Sequence, residues 1–178
     1  MKKALLLMTV FLLSINAVNA QDWEKYKAED LEFVAYYPAE PKRTVQKVST
    51  AVGELDMHMI MYAPTSGDDN AVYSVIRSDY PEEQFKNADD DYNASVLDGA
   101  VKGAVSNVKG FLNFDHPVKF NGYPGRSIKI QMEGGFIYIN AYLVENSMFI
   151  TQVICTADKD HNDSIYRFLK SFELIKTK

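Results

Sequence analysis

The residues with the most distinctive chemistry are three methionines in the segment Met57-His58-Met59-Ile60-Met61. Alternate side chains of a β-strand share a face, so the three thioethers lie on one side at intervals of about 6.6 Å. Thioether sulfur is a soft ligand that suits Cu(I), although sulfurs that share one ion must approach each other more closely than this. Leu55 continues the same apolar stripe. Two interpretations therefore stand: a copper site at Met57, Met59 and Met61, or a strand face in the hydrophobic core.

Other residues that commonly hold metals or act as nucleophiles are isolated in the sequence. His58, His116 and His161 lack the close pairing of a structural zinc site. Cys155 is the one cysteine and ends an apolar segment, so we expect a buried thiol and no internal disulfide. The nucleophile elbow, the phosphate-binding glycine loop and the His-Glu-x-x-His motif are all missing. These observations favour a non-enzymatic protein without a cofactor, and an unfamiliar hydrolase is the enzymatic alternative.

Tyrosines suggest a binding surface. Tyr138 and Tyr142 share one face of a predicted strand, and Arg126 follows the turn at Pro124-Gly125. A tyrosine combines apolar area with a polar tip, which suits recognition surfaces. If this face is open, we expect Tyr138, Tyr142 and Arg126 to line a groove. If a helix covers it, the tyrosines belong to the core.

One tripeptide suggests a covalent modification. Asp163-Ser164-Ile165 resembles the acceptor sequence of a bacterial O-glycosylation system that acts on exported proteins, with Ser164 as the acceptor. The alternative is the first turn of a helix that is capped by Asn162 or Asp163.

The N-terminus has the pattern of a secretory signal peptide over residues 1–20. Lys2 and Lys3 precede an apolar run, and Val18-Asn19-Ala20 offers small residues for cleavage. The run is shorter than the roughly 20 apolar residues of a transmembrane helix. We therefore predict a periplasmic or secreted protein that is not inserted in the membrane after cleavage.

Composition limits the class of partner. The formal net charge is −5, and loss of the two lysines with the signal peptide makes it more negative. An acidic chain with 47% hydrophobic residues is not expected to bind nucleic acid. Residues 21–178 have a length that suits a single domain with its own hydrophobic core.

Apolar periodicity predicts eight strands and two helices. Alternation or β-rich composition indicates strands at residues 31–37, 42–50, 54–62, 71–78, 111–120, 126–132, 136–144 and 148–155. The last of these is apolar on both faces, so we place it centrally in the sheet. Helical spacing covers Asp89–Val108 and Asn162–Phe172. Gly99 and Gly103, one turn apart, are expected to let the first helix pack closely on the sheet.

This order predicts an α+β domain with a twisted, mostly antiparallel sheet that two helices cover. Three segments together resemble the PsbP/Mog-like superfamily: residues 33–41 (Phe-Val-Ala-Tyr-Tyr-Pro-Ala-Glu-Pro), 121–125 (Asn-Gly-Tyr-Pro-Gly) and 168–174 (Phe-Leu-Lys-Ser-Phe-Glu-Leu). The resemblance spans nearly all of the mature chain and implies an αβα sandwich. It also implies an accessory or binding role, because members include extrinsic photosystem subunits, a Ran-binding transport factor and secretion-effector chaperones. It brings no catalytic motif.

The sequence therefore predicts an exported, non-enzymatic accessory domain that engages a protein or a small ligand of the cell envelope. A copper-handling protein that uses the methionine strand and an unfamiliar hydrolase are the two alternatives.

We expect the protein to accumulate outside the cytoplasm with Gln21 as its first residue, because signal peptidase cleaves after small residues. N-terminal sequencing of the protein from an envelope fraction tests this. A chain that retains Met1 in that fraction would instead be held by an uncleaved anchor.

Overall fold

The computed structural model describes residues 23–50 and 53–175, so the predicted signal peptide lies outside the described residues. The strands are β1 (Glu24–Ala28), β2 (Phe33–Tyr37), β3 (Lys42–Thr50), β4 (Gly53–Tyr62), β5 (Asn70–Asp79), β6 (Phe111–Phe120), β7 (Tyr123–Met132), β8 (Gly135–Val144), β9 (Ser147–Thr156) and β10 (Glu173–Leu174). The helices are α1 (Asp90–Asn107) and α2 (Asp163–Lys170). Within the described residues, no helix is both long enough and apolar enough to cross a membrane.

Seven strands form one antiparallel sheet in the order β3-β4-β5-β9-β8-β7-β6. Hairpins connect β3 with β4, β6 with β7, β7 with β8, and β8 with β9. The pairing of β5 with β9 joins strands β3–β5 to strands β6–β9. The predicted central position of β9 is confirmed. Its side chains are buried on both faces, with Met148 on one side and Phe149 and Val153 on the other.

Helix α1 covers one face of the sheet over β7 and β8. It begins where predicted, because the Asp89 side chain accepts a hydrogen bond of 2.8 Å from the backbone N–H of Tyr92 and caps the helix. Leu97 and Val101 are buried against a layer of branched residues on β7 and β8 that includes Ile130 and Ile139. The apolar stripe of the helix therefore lies where its sequence spacing placed it.

Helix α2 and a small second sheet cover the opposite face. Ile165 and Phe168 of α2 are fully buried, and Asn162 caps the helix through the backbone N–H of Ile165 at 3.2 Å. The small sheet has the order β1-β2-β10, and Phe33 of β2 joins the same core. The predicted α+β sandwich, with a helix on each face of an antiparallel sheet, is confirmed.

The small sheet is the main feature that sequence periodicity missed. Four of the five residues of β1 are polar or only partly buried, and β10 has two residues. Neither segment has an apolar alternation that is long enough to indicate a strand. These strands form because β2 offers a backbone edge on each side.

The expectation for Gly99 and Gly103 was wrong. Gly99 and Gly103 are exposed, and a Cβ atom at either position would meet nothing within 4 Å, so neither glycine packs on the sheet. Gly135 has the close approach instead, because a Cβ there would lie 2.0 Å from the carbonyl oxygen of Cys155. The pairing of β8 with β9 therefore requires glycine at position 135, whereas the packing of α1 on the sheet requires no glycine at positions 99 and 103.

We expect Gly135→Ala to lower the free energy of unfolding by about 3 kcal/mol, because backbone must move to admit the methyl group. Gly99→Ala is the matched control, and it should raise stability by up to about 1 kcal/mol, since alanine favours an exposed helix. Urea denaturation of both variants measures the difference. Equal effects of the two substitutions would contradict this description of the β8–β9 pair.

Candidate functional site

The structure separates the three residues of the predicted groove. Tyr138 and Tyr142 are 3% and 7% exposed and belong to the core beneath α2 and the small sheet. Tyr142 stacks on Phe120, with ring centroids 4.6 Å apart. Arg126 lies on the opposite face of the sheet, against α1. The tyrosines are thus core residues, which was the alternative interpretation, and the three side chains do not line one surface.

Arg126 connects α1 to the sheet through two carboxylates. Its Nε donates to Asp115 Oδ1 at 2.6 Å, its Nη2 donates to Asp115 Oδ2 and its Nη1 donates to Asp98 of α1. The hydrogen bonds that Arg126 donates to Asp115 raise the pKa of Arg126. The side chain borders a groove of about 430 Å³ between α1 and the β6–β7 hairpin. Because its donors are committed to the two aspartates, Arg126 holds the helix on the sheet.

A polar cluster surrounds the side chain of Lys129, which is only 7% exposed. Its Nζ lies 2.7 Å from Asp160 Oδ2 and 3.3 Å from His161 Nε2. The ammonium also lies 4.1 Å from the centre of the Phe136 ring, within the range of a cation–π contact. Tyr138 donates from its hydroxyl to Asp160 Oδ1 at 2.5 Å. These contacts fasten the segment after β9 to β7 and β8.

The electrostatics of this cluster keep the carboxylate charged and the phenol neutral. Burial alone would raise the pKa of Asp160, but hydrogen bonds from Lys129 and Tyr138 outweigh burial, so the pKa lies below its usual value. Burial, followed by the neighbouring Asp160, raises the pKa of Tyr138. Lys129 can only donate, so His161 accepts at Nε2 and donates from Nδ1 to the Tyr166 hydroxyl at 2.9 Å. Each polar group has a partner, which indicates a structural role.

The predicted methionine stripe is present on β4 but lies outside both core clusters. Met57, Met59 and Met61 are each partly exposed, and α1 packs on β7 and β8 rather than on this strand. The core interpretation therefore does not describe them. Strand geometry separates the first Cα from the third by about 13 Å, which is too far for three thioethers to meet at one ion without distortion. Copper binding by this stripe stays a prediction.

The other residues that the sequence singled out lie apart from one another. Cys155 is 1% exposed, as predicted, and burial raises the pKa of its thiol. His58 has an Nδ1 that is buried without a hydrogen-bond partner, whereas His116 stacks on Phe114 at the sheet edge. Ser164 is the second residue of α2, and its glycosylation stays a prediction. Among the described residues, no three His, Cys, Asp or Glu side chains are grouped so that they could hold a metal ion.

A cavity opens where two hairpin turns meet the small sheet, and we call it the turn cavity. Its volume is about 720 Å³, which falls within the range of roughly 300–1,000 Å³ for small-molecule sites. Its polar lining consists of Glu32, Asn121, Tyr123, Glu145 and Ser147.

Sheet topology explains why these turn residues meet. The β6–β7 turn contains Asn121 and the β8–β9 turn contains Glu145, and alternate turns of an antiparallel meander lie at the same end of the sheet. Val144, Leu174 and Ile175 add apolar surface, and Phe149, which is 1% exposed, completes that lining. The cavity therefore has a polar rim above apolar surface.

Three residues of this lining have left-handed backbone conformations. The φ angles are 59° at Glu32, 51° at Asn121 and 54° at Glu145, and they are three of the five positive φ angles at described non-glycine residues. Asparagine tolerates this region, but glutamate seldom adopts it. Such positions cost of order 1 kcal/mol each and cluster at functional sites. Glycine would adopt these backbone conformations at positions 32 and 145 with less strain, yet both positions carry a glutamate.

Negative charge predominates around the turn cavity. Glu32 accepts a hydrogen bond of 2.9 Å from Arg77, and Arg77 also donates to Asp79 at 2.8 Å. Within the described residues, Glu145 is exposed and forms no ion pair. Two carboxylates therefore share the Arg77 guanidinium, and Glu145 adds a further negative charge to the cavity lining. The arrangement can bind a group that carries positive charge.

Comparison with known proteins supports the fold assignment. The chain resembles the solution structure of cyanobacterial PsbP (CyanoP) from Synechocystis sp. PCC 6803, with a TM-score of 0.55 over 90% of this chain and 97% of that one. The fold is PsbP-like. Sequence identity is 13%, so the likeness concerns the fold alone. No protein-family model matches the chain, and no curated protein matches it.

Acidification should destabilise the protein through Asp160. Because its folded-state pKa is lowered, Asp160 contributes stability above its unfolded-state pKa and loses that contribution as the pH falls below about 5. Asp160→Asn should lower the free energy of unfolding at pH 7 by about 3 kcal/mol, since Lys129 stays buried without its anion. The variant should also have a shallower loss of stability between about pH 5 and pH 3.

Chemical denaturation at several pH values measures this slope, and Asp56→Asn on the exposed side of β4 is the control. A slope that is the same in Asp160→Asn as in the unmodified protein would contradict the assigned role of the cluster.

Proposed function

We propose that this chain is an exported accessory domain that binds a partner molecule in the turn cavity and does not catalyse a reaction. The observation that carries the proposal is the exposed Glu145 carboxylate, which lacks an ion pair among the described residues and lies beside Asn121 and Tyr123 in a cavity of about 720 Å³. The predicted signal peptide supports export, and the resemblance to accessory and binding proteins is consistent with this role.

A binding role agrees with how the other charged groups are used. Asp160 is paired with the buried Lys129, and Arg126 is bonded to aspartates on α1 and β6. Catalysis by acid and base requires a titratable group within reach of a substrate. Tyr138, whose pKa is raised, lies in the core with its hydroxyl bonded to Asp160. The strongly perturbed groups therefore stabilise the fold, and the turn cavity retains polar groups for recognition.

The position of the cavity also favours recognition. Its polar rim comes from turns, which lie on the rigid seven-stranded sheet and present Asn121 and Glu145 outward. Binding residues commonly occupy loops that a rigid scaffold positions. Glu145 also lines a neighbouring cavity of about 540 Å³ together with Glu82 and Lys86. A partner that contacts Glu145 can thus extend across both cavities.

A photo-crosslinking residue in place of Asn121 should form an adduct with the partner in living cells, because this exposed position lines the turn cavity. The same residue in place of Lys102, which is exposed on α1, is the control and should form no such adduct. Mass spectrometry of the adducts identifies the partner. Adducts of equal yield at both positions, or none at Asn121, would contradict the proposed site.

A further inference from the structure

We propose that the turn cavity recognises an alkylammonium group, which is the end of a lysine side chain or of a free aliphatic amine. The inference rests on the proposed binding function and specifies the chemistry of its ligand. The charge, the hydrogen-bonding capacity and the apolar surface of the lining each support it.

The charge of the lining favours a cation. Glu32 and Glu145 contribute carboxylates, whereas the residues that line the cavity include no lysine or arginine. Arg77 is not one of the lining residues, but it donates hydrogen bonds to two of them, Glu32 and Ser147. Its guanidinium also lies over the ring of Phe149, a third lining residue. Arg77 therefore offsets part of the charge of Glu32 and leaves the Glu145 carboxylate without a counterion among the described residues.

The hydrogen-bonding groups match an ammonium ion. An ammonium ion has three donors and no acceptor, so it requires acceptors on several sides. Glu145, Asn121 and Tyr123 line the cavity, and each of their side chains carries an oxygen that can accept a hydrogen bond. Ser147 is already occupied, because its hydroxyl donates to Asp79 at 2.6 Å and accepts from Arg77 at 3.3 Å.

The apolar lining accounts for the alkyl part of the ligand. Val144, Leu174 and Ile175 are partly exposed aliphatic residues in the lining. A chain of four or five methylene groups can lie along such a surface while its charged end stays at the rim, as lysine side chains do elsewhere. An inorganic cation would leave this apolar surface unused, and an anion would meet the carboxylates.

Titration of the purified protein with three ligands of one length tests the charge requirement. The probes are 1-aminopentane, 1-pentanol and pentanoate, observed by NMR of the backbone amides at pH 7. We expect shifts at Asn121, Tyr123 and Glu145 with the amine, and affinity at least fivefold weaker for the alcohol and the acid. Raising the salt concentration should weaken binding of the amine only.

Two variants remove the Glu145 carboxylate, and only the glycine variant also relieves the backbone strain at this position. Glu145→Gln should weaken amine binding at least fivefold. Glu145→Gly should weaken it equally while raising the melting temperature, because glycine adopts the left-handed backbone without strain. The control is Glu133→Gln, an exposed glutamate of the β7–β8 turn at the other end of the sheet, which should bind the amine normally. Retained amine binding in both Glu145 variants would overturn the inference.

The same titration distinguishes the two sources of the ammonium group. Tighter binding of a neutral-ended peptide with one lysine than of 1,5-diaminopentane assigns the site to a protein partner, and the reverse assigns it to a free amine. Equal binding of 1-pentanol and 1-aminopentane would overturn the cation requirement while the binding function stands. Absence of binding by all three probes, together with the absence of a crosslink at Asn121, would overturn both.

Discussion

Burial of β8 and β9 on both faces is the constraint on which the rest of the structure depends. These strands lie inside the seven-stranded sheet, so their backbone groups pair on both sides and their side chains face two separate cores. Residues such as Ile139 on one side and Phe149 on the other can leave water only if each face receives a cover. Helix α1 covers one face, and α2 with the small sheet covers the other. The αβα arrangement follows from this requirement.

Ion pairs fasten the covering elements to the sheet. Arg126 joins α1 to the sheet, Lys129 joins it to the segment before α2 through Asp160, and Arg77 joins it to Glu32 beside the small sheet. Each cation emerges from a sheet strand and meets an acid on another element. Such pairs add directional specificity to apolar packing, which by itself is non-directional. They also provide the buried Lys129 and the partly buried Arg77 and Arg126 with carboxylate partners.

Local physics made much of the fold predictable. Alternation indicated the hairpins, the apolar character of β9 indicated its central position, and helical spacing from Asp89 and from Asn162 indicated where the helices start. Antiparallel connectivity also implies that the turns at Asn121 and Glu145 lie at one end of the sheet. The small sheet escaped prediction because β1 and β10 are too short and too polar for periodicity to indicate a strand. The same periodicity gave Lys129 no sign of burial, because its partners come from distant segments.

The sequence by itself determined the class of the fold, the order of its elements and the central strand, because these depend on the periodicity of neighbouring residues. Only the tertiary structure decided which side chains meet. It buried Tyr138 and Tyr142 under α2, turned Arg126 to the other face, and left the face with the methionines uncovered by α1. It also brought Glu32 and Glu145 into the lining of one cavity. These outcomes depend on how separate layers dock, and local periodicity does not carry that information.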